Sequence, residues 1–239
     1  MGSLRVMREE WSTVTGPVLL DIPEYLDKKN KHDYAYRMIK DWIIQGELPS
    51  DTILVERQLC QMLGLSRTPV RSALQELAKD GFVLTAPGRG MMVSRVQIED
   101  VIEIFEIRRS LDILALELFM KIQQPDVVAQ MRRSVADMKE AMDRGDCQAF
   151  VQADKNFHDL YSHNCGNQRL EKICKEMSEQ EHRILSLTIN DSARCKMSYR
   201  HHLAIMEQIE AGNVRKATTL LRKHLTDSME YHVRKMSRI

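Results

Sequence analysis

Apolar residues recur at helical spacing along almost the whole of this chain, and one short stretch breaks the rhythm. Over 32–45, Tyr36, Ile39 and Ile43 form a helical stripe, and Gly46 stands just past its end. A loop with Pro49 follows, then a second helix over 54–63. A third helix over about 66–80 carries Val70, Ala73, Leu74 and Leu77 at i, i+3, i+4 and i+7 and stops at Gly81. The break comes next. Residues 82–85 and 91–93 read as short apolar strands around Pro87-Gly88-Arg89-Gly90, a turn-forming run. From about residue 97 the helical period returns over 97–122, 125–144, 146–164, 167–190, 192–211 and 213–236, with breaks at Gln124-Pro125, Gly145, Cys165-Gly166 and Gly212-Asn213. The pattern predicts a mainly α protein: a winged helix-turn-helix over 29–95, then an all-α six-helix bundle over 96–239. Residues 1–28, which mix Gly, Pro and charge with the short apolar run Val18–Ile22, read as an arm.

Composition sharpens this division. The chain carries 35 basic and 34 acidic side chains, a net charge of +1. Residues 1–28 hold three basic and five acidic groups, 29–95 hold ten and seven, and 96–239 hold 22 of each. The positive excess therefore sits on the helix-turn-helix segment, where phosphate binding needs it. The 5 cysteines show no CxxC pair and no paired framework, which fits a reducing cytoplasm. No apolar run approaches the roughly 18 residues of a membrane span.

The third helix carries the chemistry of a DNA reader. Arg67, Thr68, Arg71 and Gln75 lie off its apolar stripe near the helix start, the part of a recognition helix that reaches base edges and phosphates. Ser66 or Thr68 can cap it, and Pro69 sits in the first turn, where a missing N–H costs little.

Several runs together resemble the GntR superfamily of bacterial transcription regulators: Gly46-Glu47-Leu48-Pro49, Leu54-Val55-Glu56-Arg57-Gln58-Leu59, Leu63-Gly64-Leu65-Ser66-Arg67-Thr68-Pro69-Val70-Arg71, Gly81-Phe82-Val83 and Gly88-Arg89-Gly90. The helical remainder resembles the family's FCD group, and six helices point to its shorter, vanillate-regulator-like branch. The resemblance places DNA contacts at Arg57, Ser66, Arg67, Thr68, Arg71, Arg89 and Gly90. Arg67 is the candidate for a bidentate contact to guanine, and Arg57 and Arg71 for phosphate contacts. One departure is Asp51, where the family often has Gly; it should alter only the local turn.

Polar side chains stand on otherwise apolar stripes of the bundle. Asp154 and His158 share a face with Phe150, Phe157 and Tyr161; His202 shares one with Tyr199, Ile205, Met206 and Ile209; His224 shares one with Ala217, Leu220, Leu221 and Ser228. Burying these groups without partners is costly. One divalent ion would satisfy all four, and hydrogen bonding of ordinary core histidines is the alternative. The resemblance adds that many FCD domains hold a metal with this arrangement. His163, His182, His201 and His232 fit the inward pattern less well. Three imidazoles and a carboxylate suit Zn²⁺, with Ni²⁺, Mn²⁺ or Fe²⁺ also compatible.

Arg108 lies on the inward stripe of the first bundle helix, either as a fork for a ligand carboxylate or in a salt bridge to Asp112. The resemblance places it in an effector cavity beside the metal, with Asn167 as a further polar contributor. The expected function is a ligand-responsive regulator that binds palindromic operator DNA as a homodimer and takes a small organic acid as effector. The alternatives are a metal-dependent hydrolase or a metal sensor joined to a DNA-binding domain. The hydrolase reading lacks an HExxH motif and a spare carboxylate placed as general base.

Overall fold

A computed structural model describes residues 28–88, 90–122, 124–188 and 191–237. The arm over 1–27 and Arg89 at the wing tip lie outside the described residues. The chain divides into two compact units that meet at Arg95 and Val96.

In the first unit, α1 (Lys28–Ile44), α2 (Glu56–Leu63) and α3 (Arg67–Lys79) pack with a small antiparallel sheet of β1 (Ile53–Leu54), β2 (Val83–Ala86) and β3 (Gly90–Val93). The strand order is β1-β3-β2, with Ile53 opposite Met92 and Val83 opposite Val93. Val70, Ala73, Leu74 and Leu77 are fully buried, so the stripe read from the sequence is the face that holds α3 on Ile39, Leu59 and Leu63. Gly64 takes φ 62 and turns the chain between α2 and α3, and Ser66 takes the extended N-cap conformation of α3 without a side-chain cap bond.

Two boundaries differ from expectation. Helix α1 begins at Lys28 rather than 32, and Leu54 belongs to a strand rather than to the second helix. Two apolar residues before a short helix fit either period. The β-branched Ile53 and the pairing of Leu54 with Met91 decide for the sheet. Asp51 has φ +69, the left-handed region that glycine occupies without cost, and its carboxylate accepts a 2.7 Å bond from Arg95 Nε. The departure from the family's Gly therefore reaches beyond its own turn, contrary to expectation, because the carboxylate ties the turn to Arg95.

The second unit holds six helices among the described residues: α4 (Ile98–Ile122), α5 (Pro125–Asp143), α6 (Cys147–His163), α7 (Gln168–Thr188), α8 (Ser192–Glu210) and α9 (Val214–Met236). Their starts are chemically marked. Pro125 opens α5, and Asp146, Asn167, Asp191 and Asn213 accept bonds from the first-turn amides of α6 to α9. Helix α6 lies between α5 and α7, and α9 packs on α4 and α8. The main core runs through Phe119, Met138, Phe150, Phe157, Met206 and Leu221. No described helix is long and apolar enough to cross a membrane.

Candidate functional sites: a recognition helix and a buried metal centre

On the first unit, Ser66, Arg67, Thr68, Arg71 and Gln75 are exposed while the other face of α3 is sealed into the core. Arg57 is exposed on α2, and Gly90 opens β3. Arg71 Nε lies 3.8 Å from Glu56, an exposed pair that water screens. The exposed face of α3 is thus a row of polar and basic side chains on a helix whose rotation is fixed by four buried apolar side chains.

In the bundle, Asp154 and His158 from α6, His202 from α8 and His224 from α9 each bring a ligand atom within 4.8 Å of the others, and all four are buried. His158 Nε2 and His202 Nε2 are 3.2 Å apart; His202 Nε2 is 3.4 Å and His158 Nε2 3.9 Å from the Asp154 oxygens. Ligands about 2.0–2.1 Å from a tetrahedral ion are separated by about 3.4 Å, so the spacing fits one ion. The tautomers, assigned from the hydrogen bonds, fit it as well. His202 Nδ1 donates to the Ser198 carbonyl at 2.9 Å. His158 Nδ1 donates to Tyr161 Oη at 2.7 Å, and that hydroxyl donates to Asp112 at 3.1 Å. Both Nε2 lone pairs are then left facing each other, an arrangement that a shared cation relieves. Ser198 Oγ donates to Asp154 at 3.2 Å and helps to orient the carboxylate.

The charge states suit metal ligation. Burial pushes His202 down to about 4 and, with the neighbouring imidazoles, holds His224 well below the ordinary histidine value, so both are neutral donors at pH 7. Burial opposes ionisation of Asp154, but the nearby His202, His158, Arg194 and Arg108 outweigh it and keep the carboxylate below its usual range. His224 Nδ1 has no hydrogen-bond partner among the described residues.

Arg108 is buried and committed. It bonds Asp112 at 2.7 Å and pairs closely with Glu181 of α7. The salt bridge to Asp112 expected as one alternative is present, and Glu181, which the sequence did not point to, is a second carboxylate on this guanidinium. Asn167 does not join the cluster: it is exposed, and its side chain caps α7.

The sequence matches the FCD domain over residues 103–227 and the gntR family of bacterial regulatory proteins over residues 31–93. The FCD match alone spans more than half the chain. This protein belongs to the GntR family, with an FCD effector-binding domain. An HTH-type transcriptional regulator of Bacillus subtilis, YdhC, is 24% identical over 82% of this chain and 88% of its own length. A D-xylose utilization operon transcriptional repressor of Paenarthrobacter nicotinovorans is 27% identical over 78% of this chain and 84% of the relative. The solved structure of Escherichia coli McbR/YncC shares the fold with a TM-score of 0.77, at 18% identity over 86% of this chain and 98% of that one.

Four inward groups of the FCD domain escaped the sequence reading: Glu181, Arg194, Ser198 and His232, all buried. The signal was present. Arg194 and Ser198 extend the His202 stripe backward by two turns, and Ser228 and His232 extend the His224 stripe forward. His232, placed off the inward pattern by sequence, is fully buried, stacks on Phe105 and lies 2.7 Å from Thr188 Oγ1.

Proposed function

We propose that this GntR-family regulator binds palindromic operator DNA as a homodimer and changes its affinity when a small carboxylate enters the FCD domain beside a bound divalent ion. The convergence of Asp154, His158, His202 and His224 from three helices carries the metal part of the reading. Zn²⁺ is the favoured ion because three imidazoles and one carboxylate form a compact set. A bound ion would tie α6, α8 and α9 together, and a shell expanded beyond these four ligands would admit a ligand oxygen. The exposed Arg67 and Arg71, carried on a helix fixed by its buried face, support the DNA part, and the protein would act in the cytoplasm beside the chromosome.

A hydrogen-bonded route leads outward from the ion. His158 bonds Tyr161, Tyr161 bonds Asp112, and Asp112 holds Arg108 on α4. Residues 94–97 alone separate α4 from β3 of the wing. A ligand that moves His158 therefore biases the first helix after the DNA-binding unit, and a coupling of about 1–3 kcal/mol is typical of such regulators. Metal content and operator binding test the reading together. Elemental analysis should find about one ion per chain, sedimentation should find a dimer, and a selected palindrome should bind with a salt slope that reports several phosphate contacts. Absence of stoichiometric metal after reconstitution would overturn the metal centre; binding with no sequence preference would overturn the operator.

A further inference from the structure

All 5 cysteines are free thiols, and two of them meet. Cys147 opens α6, Cys195 stands in the first turn of α8, and the Cys195 thiol donates to Cys147 Sγ at 3.9 Å. The two residues are 48 positions apart, so the packing of α6 against α8 makes this contact, not local sequence. They differ in access. Cys147 is half-buried and open to a small solute, whereas Cys195 is 2% exposed. Burial, reinforced by the neighbouring Cys147, pushes the Cys195 thiol up to about 12, so it is protonated at neutral pH. The other thiols have different surroundings. Cys60 lies on α2 of the first unit, Cys165 donates to the Asn167 carbonyl at 3.8 Å, and Cys174 is buried on α7.

We infer that Cys147 and Cys195 are a peroxide-reactive pair that closes into a reversible disulfide between α6 and α8. Sulfurs in a disulfide are about 2.05 Å apart, so this pair must close by about 1.9 Å. Both residues lie at helix starts, where side-chain rotation and a small shift of the first turn supply that movement without repacking the helix middles. The more open sulfur reacts first. Cys147, as thiolate, attacks one oxygen of hydrogen peroxide: an S–O bond forms, the O–O bond breaks, and the released hydroxide takes up the proton that Cys147 gave. Cys147 is then a sulfenic acid. The Cys195 sulfur attacks that sulfur: the S–S bond forms, the S–O bond breaks, and the departing hydroxide leaves as water with the Cys195 proton. Two electrons pass from the sulfurs to the peroxide, which ends as two waters. Contact between the sulfurs offsets the small thiolate fraction of Cys195. Cys147 is seven residues before Asp154 and Cys195 seven before His202, so the bond would fix the α6–α8 seam two turns, about 10 Å, from the clustered donors. In a reducing compartment such a bond lasts only while oxidant does, so it reports peroxide rather than holding the fold.

This goes beyond the reading above, and its test involves neither metal nor operator. The full chain is reduced with dithiothreitol, freed of it and exposed to excess hydrogen peroxide in dilute solution. Intact mass and peptide mapping without reductant are read for the wild type, Cys147→Ser and Cys195→Ala. The wild type should lose the mass of two hydrogen atoms, yield a peptide pair joined through Cys147 and Cys195, and regain its starting mass in dithiothreitol. In Cys195→Ala, oxidation should stop at Cys147 and be trapped there as a dimedone adduct. In Cys147→Ser, loss of the Cys195 thiol should slow at least about 10-fold. Cys147→Ser alters a half-buried position and covers the case in which Cys195→Ala fails to fold. The oxidised wild type should also melt several degrees above the reduced form, because the closed loop constrains the unfolded chain. No cross-link, a cross-link through any other thiol or between chains, a dimedone adduct at Cys195 ahead of Cys147, or an oxidised form that melts below the reduced one would overturn the proposal.

Discussion

Arg67 and Arg108 show how differently two arginines in one chain respond to removal. Arg67 is exposed at the start of α3, where the fold asks nothing of its guanidinium. Arg67→Ala should leave thermal stability within about 0.5 kcal/mol of the wild type. It should cost about 1–3 kcal/mol in operator affinity and relax base preference at one position of each half-site, read by competition binding on operator variants. Arg57→Ala should instead weaken all sequences alike and lower the salt slope by about one. Arg108 behaves in the opposite way. Its removal leaves Asp112 and Glu181 buried with no counter-charge, so Arg108→Ala should lose about 3–5 kcal/mol of stability in chemical denaturation. The sequence favours Arg108 as a ligand anchor because an inward arginine at i, i+4 from Asp112 is visible in one helix. Glu181 stands on another helix, 73 positions further along, and no local period reports that meeting.

Among the elements, α9 carries the clearest pH signature. Burial, reinforced by the Arg194 charge, pushes His232 down to about 3, against about 6.5 in the unfolded chain. The folded form needs this imidazole neutral, so its contribution is fully present above pH 6.5 and is lost as pH falls from 6.5 toward 3. The linkage amounts to a few kcal/mol at the acid extreme. Replacing His232 with Gln should therefore flatten the fall in unfolding free energy between pH 6.5 and 4. An unchanged slope would show that the site stays open to solvent. The bundle helices were legible in the sequence to within about two residues because capping groups such as Asp146 and Asn213 mark their starts and long apolar stripes mark their faces. Strand β1 was not, since two residues are too few to establish a period. The donors Asp154, His158, His202 and His224 were legible because polar groups on an apolar stripe are conspicuous. Arg194 and His232 sit near the ends of their helices' inward faces, where a polar residue looks like the beginning of the solvent side.

At the scale of the whole molecule, four donors join α6, α8 and α9 of the bundle through one small volume. An ion that binds the folded chain and not the unfolded one adds stability by mass action, about 4 kcal/mol at a thousandfold excess over its dissociation constant. Chelation should then lower the melting temperature by about 10 °C for a chain of this size. His202→Ala should melt early and respond no further to chelator. A chelator-insensitive wild type with His202→Ala still destabilised would assign the imidazole to packing alone.

The order in which the donors occur along the chain also sets a clock. Asp154 and His158 are made early in the bundle, but His224 lies seventy positions after Asp154, on the last helix. Closing so long a loop precedes any reward from the ion, so the centre is completed only when α9 docks. Interactions that form after the rate-limiting step slow escape from the native state and leave the approach to it untouched. Stopped-flow refolding should run at the same speed with zinc or with chelator, while unfolding slows many-fold in zinc. A bound ion would then act as a latch rather than a template.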